Sequence, residues 1–158
     1  MEDEVPSGES ESEITRAYVE KRIDDWLQRV NALLASIKIW AADHRWAVEQ
    51  GAPAPMLEDL MVRFNLEPRD QPTLSLQSPQ GYMIWIKPKG LWVIGANGRV
   101  DIYSPLGAFV LLDTADKFEP AHWELFTPGK TPLPSKKKSK KASNRRTKFT
   151  PAQLAELV

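Results

Sequence analysis

Apolar residues recur in steps of four and three from Val19 to Ala47, and from Thr73 onward they recur in steps of two. One chain therefore carries a helical period followed by a strand period, which limits it to a helix-then-sheet arrangement of the α+β class. The helical stripe is Val19, Ile23, Trp26, Val30, Leu33, Ile37, Trp40, His44 and Ala47. Leu27, Leu34, Ala41 and Val48 widen it, and Asp24, Asp25, Gln28, Arg29, Asp43, Arg45 and Glu49 stand opposite. That pattern predicts one long amphipathic helix. Ser10 and Glu13 are spaced as a capping box at its start. Gly51, Pro53 and Pro55 stop it after Gln50.

The stripe has two readings. It can pack on the protein's own sheet, or it can pair with a second copy as a coiled-coil seam, making a homodimer. Trp26 and Trp40 at seam positions fit poorly in a regular two-stranded coil, which favours the sheet. Residues 56–64, with Met56, Leu57, Leu60, Met61 and Phe64 on one side, read as a short second helix. Pro68 and Pro72 then force an extended connection.

Strands are expected at 73–77, 82–87, 91–95, 99–103 and 107–112. The links are short and rich in Gly, Pro and Asn, so sequential strands should be antiparallel neighbours in a five-stranded meander. Asn97-Gly98 is read as a type I′ turn. Residues 82–86 and 91–94 are apolar on both sides, so the sheet centre is expected to be covered on both faces. Strand 99–103 alternates, with Val100 and Ile102 on one side and Arg99, Asp101 and Tyr103 on the other. Residues 119–126 should close the domain as a helical turn or strand. The expected division is an acidic disordered head (1–11), an α+β domain (12–127), a flexible basic linker (128–149) and a short helical stub (150–158).

The formal net charge of zero hides a separation. Residues 130–148 hold nine Lys and Arg and no acid; removing nine from 21 leaves 12 cations against 21 anions, or −9 for the rest. Such a polycation attracts phosphate backbones without reading sequence. Lys136, Lys137, Lys138, Lys140, Lys141, Arg145, Arg146 and Lys148 are the expected nucleic-acid contacts, and the run would also serve as a nuclear localisation signal. A tail folded back on the acidic body is the alternative.

Catalytic and cofactor signals are weak. The chain has no cysteine, which removes disulfides, thiolate nucleophiles and cysteine zinc sites. Residues 93–98 resemble a glycine-rich dinucleotide loop, but Asp101 replaces the third glycine and a strand pattern follows instead of a helix. The two histidines, His44 and His122, have no metal-ligand spacing; His44 is expected to be a partly buried seam residue. Asp101, Asp113, Asp116, Glu119 and His122 lie near one another in sequence. An acid–base role for His122 with Asp113 or Asp116 competes with a capping role for the aspartates. No metal or cofactor is expected. No apolar run approaches the roughly 18 residues of a membrane span, and a cytoplasmic protein, or a nuclear one in a eukaryote, is expected.

Six tryptophans are many for 158 residues. Trp85, Trp92 and Tyr103 share a sheet face if the strand register allows it; core packing under the long helix is the favoured reading, and a partner surface able to stack bases or hold a peptide is the alternative. Residues 145–157, Arg145-Arg146-Thr147-Lys148-Phe149-Thr150-Pro151 and onward, resemble the arm and first helical turns of a homeodomain. In that family the arm lies in the minor groove; none of these 13 residues matches a base-reading position. Thr150 before Pro151 is also a common helix start, suited to a docking helix. The expected function is a non-enzymatic binding or adaptor protein whose basic segment touches nucleic acid. A protein–protein module, such as an inhibitor, immunity or assembly factor, is the alternative, and a small enzyme of unrecognised type the third.

Overall fold

Thr15 opens the long helix: its Oγ1 accepts the Tyr18 N–H at 3.1 Å, and helix α1 runs from Arg16 to Asp43. The computed structural model describes residues 14–93, 96–127 and 148–158, so Ser10, Glu13 and the acidic head lie outside the described residues. α1 spans roughly 42 Å at 1.5 Å per residue. Val19, Ile23, Trp26, Val30, Leu33, Leu34, Ile37 and Ala41 are all buried. Each large side chain in this set contributes about 1.5–3 kcal/mol by leaving water. The stripe that fits a coiled-coil seam is thus occupied by the protein's own sheet.

The helix is shorter than the periodicity implies. It stops at His44, Arg45 adopts a positive φ of 65°, and the chain reverses with the Trp46 N–H donating to the Ala41 carbonyl at 2.9 Å. Ala47–Gln50 then forms β1. His44 is not a buried seam residue: it is exposed, its ring stacks on Trp40 at 4.9 Å, and its Nδ1 lies 2.9 Å from the Trp40 carbonyl oxygen.

β2 (Ala54–Met56) and β3 (Arg69–Gln71) pair as a small separate ribbon around α2 (Asp59–Arg63). The main sheet continues with β4 (Leu74–Gln77), β5 (Met83–Gly90), β6 (Arg99–Ser104), β7 (Gly107–Asp113) and β8 (Trp123–Phe126). Its order is β1-β4-β5-β6-β7-β8, every pair antiparallel. The expected meander is present from β4 to β8, and β1 returns to the edge beside β4.

Of the strand expected at 91–95, the described residues 91–93 form no ladder, and residues 94 and 95 lie outside the described residues. β5 runs through Pro88-Lys89-Gly90 with a register shift and pairs directly with β6. Beyond it, the Leu91 and Trp92 amides donate to the Glu58 carboxylate at 2.7 and 3.1 Å, and Val93 makes only an isolated bridge to Ala96. Asn97-Gly98 is not a type I′ turn either, since Gly98 has a positive φ and Asn97 does not. Gly98 lies directly under the Trp26 ring, where a Cβ would collide with the indole. Asn97 is buried, and its amide donates to the Asp113 carbonyl at 2.8 Å.

The sheet has one dry and one wet face. Leu74, Ile86, Ile102 and Phe109 form a cross-strand row on the dry face, under α1. Trp26 satisfies its buried indole N–H on Gln71 Oε1 at 2.8 Å. The opposite face is covered only in part, short of expectation: Asp101 and Val110 are buried there, but Trp85 and Tyr103 are exposed. The C-terminal residues join the same core. Lys148 bridges Glu124, the Phe149 N–H donates to the Trp123 carbonyl at 2.7 Å, and a 3-10 helix follows at Pro151–Leu157. Phe149, Leu154 and Leu157 are buried. The Pro151 helix therefore docks on its own domain.

Candidate functional site

Two neighbouring strands place the candidate site. β5 alternates with Ile84 and Ile86 inward and Trp85 and Lys87 outward, and β6 does the same with Ile102 inward and Tyr103 outward. Their register sets Trp85 directly opposite Tyr103. The wet-face row reads Ser75, Trp85, Tyr103, Ala108 from β4 to β7. The next row reads Lys87, Asp101, Val110, Phe126. Trp85, Tyr103 and Phe126 remain 43%, 41% and 38% exposed. Trp85, Lys87 and Tyr103 line an open cavity of about 270 Å³.

Trp92 does not join them. It follows β5 in the turn held by Glu58, packs against the core, and lies under the Arg22 guanidinium at 5.7 Å. The candidate three-residue surface is thus a two-residue pair, with Lys87 and Phe126 added. Lys87 was legible in the strand alternation. Phe126 was not, because its strand could not be told from a helical turn.

Tyr103 is held in place from below. Its hydroxyl donates to Asp101 Oδ2 at 3.3 Å, and Arg99 Nε donates to Asp101 Oδ1 at 2.6 Å. The Asp101 charge, aided by partial burial and this hydrogen bond, raises the Tyr103 pKa above the ordinary tyrosine value. The phenol is therefore neutral at physiological pH and its ring is oriented.

Of the expected nucleic-acid contacts, only Lys148 lies among the described residues. Lys136, Lys137, Lys138, Lys140, Lys141, Arg145 and Arg146 lie outside them. Both flanks of that run are nevertheless fixed. Phe126 pairs with Val110 at its start, and Lys148 bridges Glu124 at its end, so both flanks sit on β8.

Near β7, the Asp113 and Glu124 carboxylates are buried and engaged by neighbouring groups. Asp113 is fully buried: Oδ1 accepts the Ala115 and His122 amides at 3.1 and 3.0 Å, and Oδ2 accepts Arg29 Nη1 at 2.7 Å. Burial opposes the Arg29 charge, but the Asp25 hydrogen bond and the Asp113 charge outweigh it and raise its pKa. The His122 ring meets Glu124 Oε2 at 3.2 Å, and Thr114 Oγ1 donates to the same oxygen at 2.8 Å. His122 and Asp113 thus touch through the His122 backbone, not through an imidazole–carboxylate pair. Among the described residues no three His, Asp or Glu side chains are grouped to hold a metal. None of the described helices is long and apolar enough to cross a membrane.

A scan against protein-family models and searches of curated proteins and solved structures return no match.

Proposed function

We propose that this protein acts by binding, as an adaptor, and that its lysine-rich segment contacts nucleic acid through phosphates. The observation that carries the proposal is the fastening of both flanks of residues 128–147 to β8. A cationic run held at both ends has fewer conformations than a free tail, so phosphate contact costs less ordering entropy. That run holds eight Lys and Arg and the Lys148 anchor adds a ninth, while the rest of the chain has a net charge of −9, so the contact is local to that segment. We place the protein in the cytoplasm, or in the nucleus if its source is eukaryotic.

Deleting the C-terminus is a poor test, because Phe149, Leu154 and Leu157 belong to the core. Replacing Lys136, Lys137, Lys138, Lys140, Lys141, Arg145 and Arg146 by Gln keeps the anchors. The variant should lose most of its affinity for both duplex and single-stranded DNA at low salt. Affinity equal to that of the unaltered chain would refute the nucleic-acid role.

A protein partner is the second reading, favoured by β1. All four of its residues are exposed and, among the described residues, it pairs only with β4. The Gly51 N–H points at Thr73, so Gln50 and Val48, one and three residues away, direct their backbone groups to the free edge. Val48→Pro should abolish capture of a strand-adding partner and leave DNA affinity unchanged; unaltered capture would rule out this edge.

A further inference from the structure

We propose that Trp85 and Tyr103, with Lys87 beside them, form a stacking site for unpaired bases of single-stranded nucleic acid. The site rests on the nucleic-acid reading above but uses different residues. An exposed aromatic pair on a sheet has an ordinary explanation, since cross-strand aromatic pairs stabilise sheets by about 0.2–1 kcal/mol. Three features go beyond it. The two rings flank an open cavity of about 270 Å³. The Tyr103 hydroxyl is tied to Asp101, and Arg99 balances that carboxylate, so the ring is already oriented and the site carries no uncompensated negative charge. Lys87, exposed at the cavity wall, supplies a cation for the phosphate next to a stacked base.

The direction of the strand follows from the same face. From Lys87 on β5, the row crosses Asp101 and Val110 to Phe126 on β8. Three strand spacings make that roughly 14 Å. Phe126 is a third exposed ring, and it directly precedes the region that leads into the lysine-rich run. A single strand laid across the sheet from Trp85 to Phe126 would therefore end at the strand from which the sequence continues into the lysine-rich run. Duplex DNA keeps its bases stacked inside and has nothing to offer the rings, so the site selects unpaired strands.

The test uses the full chain and fluorescence anisotropy with a single-stranded oligonucleotide of about fifteen nucleotides and its duplex. Trp85→Ala/Tyr103→Ala should weaken single-strand binding roughly tenfold or more and leave duplex binding unchanged, while Trp85→Phe/Tyr103→Phe retains most of the affinity. If the alanine variant unfolds at lower urea than the unaltered chain, Trp85→Leu/Tyr103→Leu, which keeps more apolar bulk without an aromatic ring, gives the same readout. Single-strand affinity indifferent to loss of the rings overturns the stacking site, as would happen if the face held a peptide, and leaves the lysine-rich contact standing. Failure of the unaltered chain to bind either nucleic acid overturns both.

Discussion

Arg29 and Asp113 show how a single pair governs this fold. Arg29 reaches from the middle of α1 to Asp113 at the end of β7, to Asp25 one helical turn away, and to the Glu119 carbonyl. Asp113 in turn gathers the amides of Ala115 and His122 and so closes the 114–122 loop. Asp113→Ala would leave a buried guanidinium with two of its three partners and two amides without their carboxylate acceptor. We expect a loss of about 3–5 kcal/mol in urea unfolding; a loss below about 1 kcal/mol would contradict the geometry. Tyr103 gives a prediction in pH. Its pKa is raised in the folded chain, chiefly by Asp101, so the folded state holds the phenol proton to higher pH than the unfolded chain does. Stability attributable to Tyr103 is complete below the ordinary tyrosine value of about 10 and falls as pH rises through the folded value. Asp101→Asn should return Tyr103 ionisation to the ordinary range in an ultraviolet titration compared against Tyr103→Phe.

At the scale of elements, local period carried most of the information. The strands expected at 73–77, 82–87, 99–103 and 107–112 are β4, β5, β6 and β7 within a few residues. Where two periods fit the same residues, tertiary pairing decided. Ala47 and Val48 continue the helical step, yet they pair with Gln77 and Leu76, because the chain turns at Arg45 and offers β4 a partner. Pro88-Lys89-Gly90 reads as a turn, yet β5 passes through it as a bulge, since Leu91 and Trp92 have the Glu58 carboxylate as an acceptor. That contact joins residues more than thirty apart and leaves no local signal. Half of the candidate site was legible for the same reason. Trp85 and Tyr103 alternate clearly, whereas the place of Trp92 depended on the strand expected at 91–95, whose described residues form no ladder. The start of the C-terminal helix was visible in Thr150-Pro151, but its docking was not. Leu154 is fully buried, so Leu154→Ala should cost about 2–5 kcal/mol in chemical unfolding. A neutral substitution would mean that this helix does not dock.

For the whole molecule, charge and shape point the same way. The ringed wet face of the sheet and both flanks of the cationic segment belong to the same six-stranded sheet, and the proposed nucleic-acid contact rests on the cations while the rings add a preference for unpaired strands. We propose that the lysine-rich segment binds nucleic acid by neutralising phosphates. It is tested most directly by the salt dependence of single-strand affinity, measured on the full chain and on the glutamine-substituted segment. If about four phosphates are neutralised, affinity of the unaltered chain should fall on the order of fiftyfold between about 50 and about 200 mM salt, and the glutamine variant should show almost no slope. Equal slopes for the two proteins, or an affinity indifferent to salt, would contradict the claim.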